Sequence, residues 1–216
     1  MRPTTTTGAR RGEKLREHIL WIAKDVFLEM GFERASMDVV AARAETSKRS
    51  LYAHFESKEK LFLAVIELVR GLFLGRLKIP GDYSDKPAEA LVMFCGRYLE
   101  ALLYEKGIQM CRVSMAETAR FPEGAAQYFD VLFTQVETFL SAYLKTTFGI
   151  STRASVEATH RLLGQTLYPH LPRALFGIDP LIKSLDREAI APEVDLKLIR
   201  KAVMDLIESL PTSRVS

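Results

Sequence analysis

Two apolar-periodic stretches between Ser36 and Phe55 are each too short to fold alone, and they constrain the architecture more than any other feature of the chain. In the first, Ser36 suits the N-cap, Asp38 complements the positive dipole end, and Met37, Val40, Ala41 and Ala44 recur at helical spacing. Glu45 and Thr46 interrupt it. Ser47 then caps a second stretch in which Leu51 and Phe55, four residues apart, share one face. Isolated helices need about 12–15 residues to persist in water, so both must share a core with longer neighbours.

Those neighbours are legible. Upstream, Ile19, Ile22, Ala23, Val26, Phe27 and Met30 gather on one helical face, and Gly31 can end the helix in a left-handed conformation. Downstream of Ser57, Leu61, Phe62, Val65, Leu68, Val69 and Leu72 continue the apolar surface. Residues 1–11, with Arg2, Arg10, Arg11 and four threonines, lack apolar periodicity and are expected to form a mobile basic arm. Beyond Gly75, proline and glycine punctuation predicts helices over 87–104, 108–120, 122–148, 152–175 (kinked at Pro169 and Pro172) and 192–210. The expected fold is all-α with about nine helices, in three parts: the arm 1–11, a small domain 12–57, and a larger helical domain 58–216 linked through helix 58–75.

Several function classes are disfavoured. The chain has no GxGxxG, P-loop, HExxH or Gly-x-Ser-x-Gly motif, and its histidines stand apart at positions 18, 54, 160 and 170, so no enzyme, metal or cofactor is expected. Cys95 and Cys111 sit inside apolar helical patterns and read as buried thiols. Without a signal peptide or an apolar run of about eighteen residues, a cytoplasmic location and no membrane partner are expected.

The charge balance points elsewhere. Residues 1–60 hold 12 Lys and Arg against 9 Asp and Glu, and the rest of the chain is balanced at 18 against 18, so the net +3 lies in the first quarter. Two short helices stacked on a third form a helix-turn-helix, whose second helix enters the DNA major groove. With Leu51 and Phe55 anchoring that helix, Thr46, Ser47, Lys48, Arg49 and Ser50 lie at its exposed start, where base edges are read. Tyr52 and His54 suit phosphate oxygens, as do Ser36 and Lys58 at the starts of flanking helices.

At these positions the sequence resembles the TetR family of bacterial regulators. Nearly the whole of Ile19 to Ile66 follows the family pattern, including Gly31-Phe32, Ser36, Ala41, Ala44, Ser47, Leu51-Tyr52, His54-Phe55, Lys58-Glu59 and Leu61-Phe62. Glu45 departs from it, standing where many members have Gly; a non-glycine residue at positive φ there costs about 1 kcal/mol. The resemblance implies a sequence-specific DNA-binding homodimer, a repressor released from a palindromic operator by a small apolar or amphipathic effector. A DNA-binding protein without an effector is the alternative, against which a connected cavity beside Arg112 would count. A helical enzyme is a more distant one.

In the larger domain, the segment Arg112 to Glu123 is similar to an "R....E..RFPE" stretch of one subgroup, where it joins two pocket-lining helices. Candidate ligand-binding residues are therefore Met93, Arg97, Tyr98, Met110, Arg112, Val113, Glu117, Phe129 and Phe133, with ordinary core packing as the competing account. Two stripes read as a dimer interface: Val156, His160, Leu163, Gly164 and Leu167, then Ile199, Val203 and Leu206.

Overall fold

Helix ends in the computed structural model, which describes residues 6–210, follow the caps and breakers of the sequence. The helices are α1 (Thr6–Arg34), α2 (Met37–Arg43), α3 (Lys48–His54), α4 (Lys58–Leu74), α5 (Pro87–Leu103), α6 (Glu105–Ala116), α7 (Pro122–Phe129), α8 (Gln135–Phe148), α9 (Thr152–Leu167), α10 (His170–Leu175) and α11 (Leu196–Ser209). No β-strand occurs among the described residues; Tyr104 and Ile182 make one isolated bridge. The all-α expectation is borne out.

Several boundaries differ from the sequence reading. Residues 6–11, expected in a mobile arm, belong to α1, and the rest of that arm lies outside the described residues. Gly31 takes positive φ but with extended ψ (71°, 171°), so the helix kinks there and makes one more turn to Arg34. The stretch 122–148 is interrupted by a π-helical turn at Asp130–Thr134, and 152–175 breaks between Leu167 and His170 at Pro169, while Pro172, where a kink was also expected, lies in the first turn of α10. The last helix starts at Leu196 rather than Pro192, because the Asp195 carboxylate accepts the N–H groups of Lys197 and Leu198.

The chain forms two compact units, which divide it differently from a boundary at 57. The first comprises the chain up to Gly71 together with Val113–Ala125. Ile19, Ala23, Val26, Phe27, Val40, Leu51, Leu61 and Val65 are buried in it. Phe27, Phe32, Phe62 and Phe121 make an aromatic cluster with neighbouring centroids 4.8–5.9 Å apart. Gly124 is needed beside it, since a Cβ there would lie 2.8 Å from Leu63 Cδ2.

The second unit comprises Leu72–Arg112 and Ala126–Ser216, and α5 is its buried spine. Leu91, Phe94, Cys95 and Tyr98 are fully enclosed, and α9 and α11 pack against α5 and each other. Close approach of α11 depends on Gly96: an added Cβ would meet Leu196 Cδ2 at 2.7 Å and Ile190 Cδ1 at 2.9 Å. Arg200 forks onto the Glu89 carboxylate at 2.7 and 3.1 Å along the same seam. Both cysteines are free, and burial pushes the Cys95 thiol up to about 12 and that of Cys111 to about 11.

Two outcomes are expected. Gly96→Val overpacks the seam and lowers unfolding free energy by about 1–3 kcal/mol in urea denaturation. The raised thiol values keep both sulfurs protonated at pH 8, so a thiol-reactive dye labels neither in the native protein and both after denaturation.

Candidate nucleic-acid interface

The helix-turn-helix is assembled by its caps. Ser36 Oγ accepts the Val39 N–H at 3.2 Å to start α2, and Ser47 Oγ accepts the Ser50 N–H at 3.1 Å to start α3. Between them the chain makes a Schellman turn: Thr46 N–H donates to Ala41 O at 3.0 Å and Glu45 N–H to Ala42 O at 3.2 Å. Glu45 takes φ +49°, the left-handed conformation anticipated for that position. Leu51 and Phe55 are buried, with the Phe55 N–H closing α3 on Leu51 O at 2.9 Å.

This leaves one face of α3 for a partner. Ser47, Lys48, Arg49 and Tyr52 are exposed, Thr46, Ser50 and His54 half-buried. The Lys48 ammonium reaches back to the Asp38 carboxylate of α2 at 2.6 Å, while Arg49 has no ion pair among the described residues. Both groups of that pair are exposed, so water screens the attraction and the lysine is easily surrendered to a phosphate.

Lys58 is placed otherwise than the sequence suggested. Its ammonium donates to Phe32 O, Glu33 O and Ala35 O at 2.9, 3.3 and 3.0 Å and lies 4.2 Å from the Phe32 ring centroid. All three protons are committed to carbonyls at the end of α1, a structural role. The start of α4 is capped by Ser57 Oγ, which accepts the Lys60 N–H at 3.2 Å.

The pocket candidates are not brought together. Met93 and Arg97 line a cavity of about 520 Å³ in the second unit, with Gly75, Arg76, Leu77, Lys78, Tyr83 and the Leu185–Glu188 loop. Arg97 is engaged there: its guanidinium donates to the carbonyls of Asp186, Arg187 and Ala189 at 2.8–2.9 Å and to Glu100 at 3.0 Å. Glu100, itself buried, accepts the Ala191 N–H at 2.7 Å, so the pair straps the loop to α5. Burial raises the Tyr83 phenol above its ordinary value, leaving a neutral hydroxyl at the wall.

The remaining candidates serve other purposes. Met110 and Tyr98 are core, and the Tyr98 hydroxyl donates to Leu132 O in the π-helical turn at 2.7 Å. Arg112 caps α10 through Leu175 O and Ala174 O at 2.9 and 2.8 Å. Val113 and Glu117 belong to the first unit, where Glu117 faces Arg120 at 3.7 Å instead of Arg112. Phe129 is exposed, and Phe133 lines a separate groove with His160, Gly164 and Tyr168. Signals for the cavity's other walls, at 75–78 and 185–188, were indistinct in the sequence because both are irregular loops.

The interface stripes divide. Val156, His160 and Gly164 are exposed on α9, with Leu167 half-buried and Leu163 buried at 6% exposure. Ile199, Val203 and Leu206 are turned inward as core, at 3%, 0% and 2%, and the outward apolar residues of α11 are Leu198 and Met204. A periodic stripe marks the buried face of a helix without saying which neighbour buries it.

Comparison with known proteins agrees with this geometry. A family model described as "Bacterial regulatory proteins, tetR family" matches residues 19–65, and one described as "AefR-like transcriptional repressor, C-terminal domain" matches 89–149. The chain is 45% identical over 65 residues to the HTH-type transcriptional activator FasR of Mycolicibacterium smegmatis, covering 28% of this chain and 30% of that protein. It is 34% identical over 91 residues to the HTH-type transcriptional repressor NicS of Pseudomonas putida, covering 41% and 42%. The chain thus spans less than half the length of either relative. A solved structure of a TetR-family regulator from Mesorhizobium loti shares the fold at TM-score 0.73, with 21% identity over 92% of this chain and 97% of that one.

Two substitutions separate architecture from recognition. Glu45→Gly relieves the left-handed strain and raises unfolding free energy by up to about 1 kcal/mol, measured by chemical denaturation. Lys58→Met leaves three carbonyls without their donor and lowers stability by about 1–3 kcal/mol, while the salt dependence of DNA binding stays as in the native protein.

Proposed function

This chain belongs to the TetR family of bacterial regulators, and from that membership and the geometry of α3 we propose that it is a dimeric, sequence-specific transcription regulator released from DNA by a small ligand. The observation that carries the reading is the exposed start of α3, where Ser47, Lys48, Arg49 and Ser50 stand on a helix fixed from beneath by Leu51 and Phe55. Arg49 is the group for base readout, since a bidentate arginine–guanine pair discriminates by about 1–3 kcal/mol. Lys48, Tyr52, His54 and the N–H groups at the starts of α2 and α4 set register on phosphate.

A homodimer places two such helices about 34 Å apart on a near-palindromic operator. The exposed face of α9 supports a dimer seam: Gly164 costs helix stability, yet nothing in its own chain comes within 4 Å of where its Cβ would be. A partner helix can use that space. The groove beside it, lined by Phe133, Leu163, Leu167 and Leu171, gives such a helix apolar cover.

The effector site is the cavity at Met93 and Arg97, whose volume falls in the range of about 300–1,000 Å³ used by small ligands. Leu77, Tyr83, Met93 and Ala101 offer an apolar wall, and Arg76 and Lys78 stand at it without ion-pair partners among the described residues. An amphipathic molecule with one anionic end fits that lining. Helix α4 is the covalent link for coupling, since it starts within the first unit and leads into Gly75 at the cavity. Differential affinity for two arrangements of the dimer, typically worth about 1–3 kcal/mol, suffices for release.

Selection of duplexes from a random library by the full chain yields a palindromic consensus. Arg49→Ala relaxes it at one position per half-site, and Tyr52→Ala weakens all sequences alike in gel shifts. Unchanged operator affinity in both variants would overturn the reading. Gly164→Arg converts the dimer to monomer in analytical ultracentrifugation at unchanged helicity.

A further inference from the structure

We propose that residues 183–189 are a lid on the effector cavity, that the lid carries a ligand-binding arginine, Arg187, and that Arg97 is the positioning residue that latches it; this rests on the effector-site reading above. Two posts frame the segment. At one end Ile182 is buried, its N–H donating to Leu103 O at 3.1 Å and its carbonyl accepting the Glu105 N–H at 2.9 Å. At the other, Ile190 packs over Gly96 and the Ala191 N–H donates to Glu100 at 2.7 Å. Between the posts no side chain is buried, and only Leu185 is half-buried. Apolar burial therefore contributes little to holding 183–189 in place.

One guanidinium does that instead. The hydrogen bonds from the segment to the rest of its unit are those that the carbonyls of Asp186, Arg187 and Ala189 accept from Arg97. The turn itself is folded from within, since Asp186 Oδ1 accepts the N–H groups of Glu188 and Ala189 at 2.6 and 3.2 Å. It can swing between its posts as one piece. Arg97 does not travel with it, because Glu100 on the same helix holds the guanidinium at 3.0 Å. Opening thus exchanges three carbonyl contacts for water and leaves the Arg97–Glu100 pair whole.

The cavity needs this lid to be a cavity. Its other walls are Met93 and Ala101 on α5, the segment 75–78 and Tyr83; with 185–188 withdrawn they make an open trough. The lining charges are divided between the two loops: 75–78 supplies Arg76 and Lys78, and the lid supplies Arg187, none of them ion-paired among the described residues. Of the lining carboxylates, Glu100 is committed to Arg97 and Ala191, and Asp186 to its own turn, which leaves Glu188. Three unpaired cations against one carboxylate favour an anion. A single carboxylate or sulfonate shared by Arg187 and the cations of 75–78 ties the lid to the opposite wall, so recognising the acidic end and closing over the apolar body become one event.

Two fluorescent probes separate the acidic end from the apolar body: anilinonaphthalene sulfonate, and phenylnaphthylamine, which has the same rings and no sulfonate. Their binding to the full chain is followed by stopped-flow fluorescence in the native protein, Arg187→Ala, R97M/E100Q, the combination of all three changes, and Met93→Trp. The E100Q change spares the interior an unpaired carboxylate, and its amide oxygen still accepts the Ala191 N–H. Arg187→Ala speeds sulfonate release about tenfold, the scale of one lost charge-assisted hydrogen bond, and leaves the uncharged probe as it was. R97M/E100Q speeds association and release of both probes, since the lid no longer latches. Adding Arg187→Ala to it weakens sulfonate affinity no further, because Arg187 acts only where the latch places it. In the native protein, hydrogen exchange over 183–191 slows under saturating sulfonate probe and not under the uncharged one, a readout that does not depend on any variant folding. Losses that add, native rates in Arg187→Ala, or exchange indifferent to the sulfonate would each overturn the inference with the cavity reading intact. Met93→Trp fills the cavity and abolishes binding of both probes; if it changes neither, or the native chain binds neither, the effector-site reading itself fails.

Discussion

The anchoring of two seven-residue helices by a shared core is the interaction on which the candidate interface depends. Neither α2 nor α3 approaches the length at which a helix persists alone in water, about 12–15 residues. Both exist because Val40, Ala41, Leu51 and Phe55 are buried in a unit whose centre is the cluster of Phe27, Phe32, Phe62 and Phe121. The polar residues of α3 are exposed or half-buried as a consequence: on so short a helix, fixing Leu51 and the closing Phe55 inward sets the direction of the other six residues. Recognition geometry is thus inherited from hydrophobic packing.

The first unit was far more legible in the sequence than the second, for a physical reason. Its helices end at side-chain caps and a left-handed turn, features that depend on one or two local residues, so Ser36, Ser47 and even Glu45 could be read directly. In the second unit the informative contacts join distant segments. Arg97 binds carbonyls about ninety positions away, and Arg112 caps a helix sixty-odd positions away. No periodicity announces such partners. The residue types at the cavity were partly foreseen, in Met93 and Arg97, but its loop walls were not.

The same limit explains the residues that changed roles. Tyr98, Met110, Ile199, Val203 and Leu206 all lie on apolar stripes, and a stripe reports only that a face is covered. Whether a ligand, a second subunit or the chain itself does the covering depends on tertiary packing. Here the chain covers all five. The residues that stay uncovered, Leu198 and Met204 on α11 and Val156 on α9, are better guides to an interface than the strongest stripe.

Cations follow a parallel rule. Lys58 looked like a phosphate ligand by position, yet three carbonyls hold it, and Arg120 stacks on Phe32 while pairing with Glu33. Lys58 has exchanged water for protein partners, and withdrawing it for DNA would leave half-buried carbonyls unmet. Arg49, Arg10, Arg11 and Lys14 carry no comparable commitment among the described residues, and stand exposed. Counting charge along the chain locates the basic region, but partnership decides which of its charges can be spent on a phosphate. By that criterion the uncommitted charge of the first unit includes Arg49 at the start of α3, while Lys58 holds the unit together.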